Sequence, residues 1–150
     1  MALCGIGIAV TGCLGDDETD QPNGTPARIH TFMRNARGFD GTIIDHRDES
    51  EVQVEVGAGD QGLAFAPAAI RVDAGTTVVW EWTGHGGRHD VASIGGSDFS
   101  FASDITRDEG HTYTETFDTS GVALYECRPH RAQQMLGAID VVFPEDDVMA

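Results

Sequence analysis

From Ser50 onward the chain alternates strictly, with Val52, Val54 and Val56 set between Glu51, Gln53 and Glu55. Successive side chains of a strand point to opposite faces, so this stretch has one apolar and one charged face. It must bury the first against a second layer. The same period returns where Val78, Trp80 and Trp82 share one face and Val79, Glu81 and Thr83 the other. Between these runs lie the turn of 57–62, then Leu63, Phe65, Ile70 and Val72, then the turn Asp73-Ala74-Gly75. Further strands are expected at 90–93, 111–117, 123–127 and 137–143. Short strands at this spacing, punctuated by Gly and Asp, predict an all-β sandwich of two sheets. A chain of 150 residues holds one such core and flexible ends. No internal repeat is visible.

The ends have a different character. Residues 1–13 form an apolar leader too short to span a bilayer and without a positive n-region. It closes on Val10-Thr11-Gly12-Cys13, which reads as a lipobox or as a plain small-residue cleavage site. The acidic tether that follows, within 14–38, cannot bury enough apolar surface to fold until Thr25-Pro26 opens a short helix. In that helix Ile29, Phe32, Met33 and Ala36 recur at helical spacing up to Gly38, as expected of a strap lying on the domain. The domain proper is assigned to 39–144 and an acidic tail to 145–150. Acylation of Cys13 would anchor the protein at the outer face of the cell membrane, more than one chain being needed for stable attachment. With Cys13 so used and the leader removed, Cys127 has no disulfide partner in an oxidising compartment, and a bound metal is one way to protect it.

Chemistry concentrates in Glu126-Cys127-Arg128-Pro129-His130-Arg131-Ala132-Gln133-Gln134-Met135. Cys127 ends one expected strand, Gly137 begins the next, and the connection carries His130 and Met135. A fourth donor from another connection at the same pole is His89, which follows the loop 84–88. Two imidazoles and a thiolate with a weak axial thioether describe a blue copper site. Thiolate and thioether suit Cu(I), imidazole suits both oxidation states, and a rigid cage reorganises little when an electron enters or leaves. Taken singly, Cys127 reads as a core thiol, Met135 as a gap filler and His130 as a loop histidine; together at this spacing they read as ligands. His30 and His46 have no second donor at ligand spacing and are read as solvated. His85 and His111 are read as surface residues.

Cys127-Arg128-Pro129-His130 with Met135 resembles the ligand loop of plastocyanins, and His89-Asp90-Val91 is similar to that family's His-Asn-Val. The stretches LAFAPAAIRVDAGTTVVWEWTGHGGRHDV and DTSGVALYECRPHRAQQMLGAIDV resemble the halocyanins, blue copper proteins of halophilic archaea. The resemblance runs from about Phe39 to Phe143 and implies a cupredoxin-like Greek-key fold, one mononuclear type 1 copper and one-electron carriage between redox protein partners at the outer face of the membrane. Asp90 departs from the family's Asn; its carboxylate is expected to accept backbone hydrogen bonds near Cys127 and to tune the metal. Glu126 replaces the Tyr of a remote docking patch, leaving the edge of His130, ringed by Pro129, Leu136 and the Gly86-Gly87 loop, as the expected door for electrons.

Net charge narrows the partners. There are 25 acidic residues against nine basic ones, all Arg, for a formal charge of −16. Such a surface repels the phosphates of nucleic acid and of anionic lipid. At molar salt the Debye length is about 3 Å, so this charge hydrates the protein without steering a partner. An oxidase or nitrite reductase would need His-x-His pairs and further domains, and a Cys and His hydrolase would need a third orienting group. The chain is therefore read as a non-enzyme. Its alternative function is a module that buffers or delivers copper.

Overall fold

The computed structural model describes residues 26–144. The expected leader with Cys13, the acidic tether up to Gly24 and the acidic tail 145–150 lie outside the described residues. Among the described residues nine strands form: β1 (Ile44–Asp45), β2 (Glu51–Ala58), β3 (Ala64–Ala66), β4 (Ala69–Asp73), β5 (Thr76–Trp82), β6 (Ala92–Ser93), β7 (Thr112–Phe117), β8 (Gly121–Glu126) and β9 (Leu136–Val142). They make a five-stranded sheet in the order β1-β4-β9-β8-β6 and a four-stranded sheet in the order β3-β2-β5-β7.

The period-two pattern sets how the sheets face. β2 and β5 run parallel with Val52 opposite Val78, Val54 opposite Trp80 and Val56 opposite Trp82, and all six are buried. Across the sandwich they meet Ile70, Val72, Ala123, Tyr125, Ile139 and Val141. Trp80 and Tyr125 meet edge to face, with ring centroids 5.4 Å apart, a geometry favoured by the aromatic quadrupole. Room for the Tyr125 ring comes from its cross-strand partner Gly137, where a Cβ would lie 2.2 Å from the ring.

β8 and β9 are buried on both faces, which alternation on one apolar face does not explain. Their second face is covered by helix α1 (Ala27–Met33): Ile29 and Met33 pack with Val122, Leu124, Leu136 and Ala138 in a second apolar cluster. The strap is thus a structural layer, pinned at its start by Arg28 on Asp98 at 3.0 Å. It stops at Met33, short of Gly38, because Ala36 N–H bonds back to the Met33 carbonyl in a turn. Further along the same outer face, Arg71 and Asp140 form a pair at 2.9 Å, both largely buried.

Three expectations need correction. Only residues 92–93 of the stretch 90–93 form a strand. Its neighbours pair irregularly with 101–106, where the Ser103 hydroxyl accepts from Val91 N–H and the Ser93 hydroxyl from Phe101 N–H in place of ladder bonds. His111 is half-buried, its ring meeting Trp82 edge to face at 4.7 Å. Leu136 is buried in the cluster under α1, because its β9 position faces outward beneath the helix, so it contributes no rim to a surface patch. Among the described residues no helix is long and apolar enough to cross a membrane.

Candidate metal centre

The end of β8, the start of β9 and the segment before β6 meet at one pole of the sandwich, which is how residues distant in sequence become neighbours. Cys127 follows β8 directly, and its N–H donates to the Met135 carbonyl at 3.0 Å, closing the connection into a loop. Within that loop Arg128–Gln133 form 3-10 turns broken by a kink at His130 (φ −121°), and Pro129 lies in the first of them, where its fixed φ suits a first turn. His130 N–H donates to the Cys127 carbonyl at 3.1 Å, folding the imidazole back over the thiol. Gln134 then reverses the chain in the left-handed region at φ 65°. From the segment after α1, Arg37 fastens the loop: its N–H donates to the Gln134 carbonyl at 3.0 Å and its Nε to the Gln133 carbonyl at 2.8 Å.

His89 arrives from the other side. Its backbone exchanges two hydrogen bonds with Thr106, at 2.9 and 3.0 Å, and the Trp82 indole N–H donates to the His89 carbonyl at 3.2 Å. Its ring Nε2 lies 2.7 Å from the His85 carbonyl. A carbonyl only accepts, so Nε2 carries the proton and Nδ1 is left with a free lone pair. Space there is tight: at Gly86, with φ 87°, a Cβ would sit 1.9 Å from the Gly62 carbonyl oxygen and 2.9 Å from His89 Nε2. Only glycine fits.

Nδ1 of His89 lies 3.6 Å and Nδ1 of His130 lies 3.5 Å from Cys127 Sγ. The three donor atoms all fall within 4.8 Å of one another. Nitrogen and sulfur donors bound to one ion at about 2.0 and 2.3 Å lie roughly 3.5 Å apart, so the set fits a single transition metal. It has no carboxylate, which disfavours Mg²⁺ and Ca²⁺. Cys127 and His89 are wholly buried and His130 is half-buried. Met135 is also wholly buried, in the same inner cluster as Cys127.

Burial shapes the protonation of the metal-free site. It pushes the Cys127 thiol up to about 11, so at neutral pH the sulfur keeps its proton until a cation displaces it. Burial likewise lowers the His89 pKa, with the nearby His130 acting in the same direction against the hydrogen bond to His85. The buried Asp90 carboxylate accepts the Arg128 backbone N–H at 2.7 Å, as expected from the sequence, and also meets the Arg128 guanidinium. Glu126 is nearly buried and holds Arg131 at 2.6 Å.

Of the four residues expected to converge, three are brought together through their donor atoms, and Met135 lies buried immediately beyond the loop. Of the other histidines, His85 has an exposed side chain as expected, but the sequence did not reveal that its carbonyl orients His89. His30 lies edge-on to Phe39, and His46 bonds Glu49 at 2.9 Å. The parts played by Arg37 and the Arg128 guanidinium were also missed. The one available signal for Arg128 was its place directly after Cys127 in a chain with few basic residues.

Comparison with known proteins agrees with this geometry. A model of copper binding proteins of the plastocyanin/azurin family matches residues 52–142. Halocyanin from Natronomonas pharaonis is 54% identical over 124 residues, which span 83% of this chain and 76% of that protein. Chloroplastic plastocyanin from Pisum sativum is 33% identical over 99 residues, 60% of this chain and 58% of that one. A purple cupredoxin from Nitrosopumilus maritimus superposes with a TM-score of 0.50 at 23% identity, covering 60% of this chain and 98% of that one, a likeness of fold.

The pH dependence of the metal-free protein follows from His89. Its folded pKa lies below its unfolded value of about 6.5, so the unfolded chain binds the proton first as pH falls. Stability contributed by the buried neutral ring is present above about pH 6.5 and is lost as pH drops below it. Urea unfolding of the apo protein between pH 8 and 5 is expected to show this decline, and His89→Gln is expected to flatten it.

Proposed function

Because the chain belongs to the plastocyanin/azurin family of copper-binding proteins, we propose that it carries single electrons on one type 1 copper held by His89, Cys127, His130 and Met135. The observation that supports the reading is the convergence of two imidazole nitrogens and a buried thiol at one pole. A bound copper ion supplies the Cu(II)/Cu(I) couple. The residues supply the rest. His85 fixes the tautomer that frees Nδ1 of His89, the loop closed by Cys127 and Met135 excludes water from the sulfur, and Arg37 limits its movement. The chain is not an enzyme, in keeping with its relatives as electron carriers. Delivery of copper calls for a readily exchanged ion, and the full burial of Cys127, His89 and Met135 favours retention and cycling instead.

Electrons enter and leave at the half-buried His130, the most accessible of the four, beside the exposed Pro129 and Gly87. Donor and acceptor are redox proteins that meet this pole through apolar contact. The lipobox-like Val10-Thr11-Gly12-Cys13 and the polar residues after it support export and a lipid anchor at the outer face of the cell membrane.

Addition of Cu(II) to the apo protein is expected to give an intense blue absorption that ascorbate bleaches reversibly, with about one proton released per ion from the Cys127 thiol. A colourless protein that retains only zinc would overturn the reading. Electron self-exchange, followed by NMR line broadening, is expected to vary by less than about twofold across the molar salt range, where charge is already screened. A steep salt dependence there would contradict apolar docking.

A further inference from the structure

Asp90 is wholly buried and directly follows His89. A buried carboxylate is costly unless its charge is met and its lone pairs are satisfied. One residue of the opposite loop does both: Arg128 donates its backbone N–H to Oδ1 at 2.7 Å and its Nε–H to Oδ2 at 2.5 Å. Arg128 directly follows Cys127, so the pair joins the neighbour of one donor to the neighbour of another. The partners differ in exposure, the Arg128 side chain being 46% exposed and that of Asp90 0%. The carboxylate is therefore held close to the centre by the fold, while the countercharge lies at the rim.

We propose that Asp90 and Arg128 form a charge clamp that locks the His89 loop to the Cys127 loop and cancels the field a lone buried carboxylate would place on the metal. Arg128 is then a positioning residue, acting on the centre through Asp90 and touching no ligand atom itself. Both halves of the role have physical causes. The two hydrogen bonds span two connections that no strand pair joins at this point, and charge-assisted bonds to a carboxylate are the strong ones. An uncompensated negative charge favours the more positive oxidation state, so removing the guanidinium favours Cu(II). Removing the carboxylate does the reverse, and more weakly, because the exposed guanidinium left behind is screened by solvent. The electrochemical half rests on the copper reading above; the mechanical half rests on the geometry alone.

The test compares Asp90→Asn, Arg128→Gln and the double variant in the full chain, metal-free and copper-loaded. Arg128→Gln keeps the backbone bond and so isolates the guanidinium. In the metal-free protein it is expected to lower the thermal midpoint more than Asp90→Asn does, with the double variant losing less than the two single losses combined. In the loaded protein, Arg128→Gln is expected to raise the Cu(II)/Cu(I) ratio at fixed potential by about tenfold, equal to about 59 mV in a one-electron couple. Asp90→Asn shifts the ratio the other way, and the double variant returns close to wild type. Additive stability losses, or an unchanged or raised midpoint potential in Arg128→Gln, would overturn the clamp. If wild-type protein forms no blue centre, the copper reading falls, and the metal-free cycle alone decides: coupled losses support the clamp and additive losses refute it.

Discussion

A thiol buried between two imidazoles is the constraint on which the rest of the structure depends. Cys127 pays for its burial in lost hydration and keeps its proton at neutral pH, while Nδ1 of His89, freed by the His85 carbonyl, and Nδ1 of His130 lie 3.6 and 3.5 Å from its sulfur. A soft cation held there by Cys127, His89 and His130 would replace the thiol proton and bring its own charge to the site. The surrounding devices hold those atoms still: the Cys127 to Met135 bond, the His85 carbonyl, the Arg37 latch and the Asp90 to Arg128 pair. Two mixed sheets locked by the Trp80 and Tyr125 contact give that pole a rigid base. Rigidity is the property an electron carrier requires, since every atom that moves on oxidation slows the transfer.

The inner sandwich was legible because its physics is periodic. Alternation along 52–56 and 78–82 identifies a face, and that face is the one found in the core. The meeting of His89, Cys127 and His130 was legible for a different reason: a thiol and an imidazole so close in sequence, with His89 at another connection of the same pole, form a chemical set rather than a periodic pattern. Where the sequence was silent, the cause was an interaction without a pattern. A helix lying on an outer sheet face changes the meaning of Leu136 from rim to core, and no period within β9 announces the helix. The His85 carbonyl belongs to the backbone, which every residue has, so its identity carried no signal. The acceptor role of Asp90 was readable, whereas its ion pair required knowing that the residue after Cys127 turns back across the loop.

The distribution of charge also becomes intelligible. Acidic side chains dominate the surface as a whole, whereas the loop from Cys127 to Met135 contains no carboxylate and shows Pro129 and His130 at its tip. Its two arginines are matched by Asp90 and Glu126, both buried or nearly so. The two arginines of this loop are thus paired with acidic groups beneath them, on a body whose high net negative charge keeps it hydrated.

X-ray absorption at the copper edge of the loaded protein tests the central claim most directly. The account predicts one short copper–sulfur and two copper–nitrogen distances in the wild type, with the short sulfur contribution lost in Cys127→Ser and one nitrogen contribution lost in His89→Gln. A spectrum without the short sulfur shell, or one unaltered by His89→Gln, would contradict it.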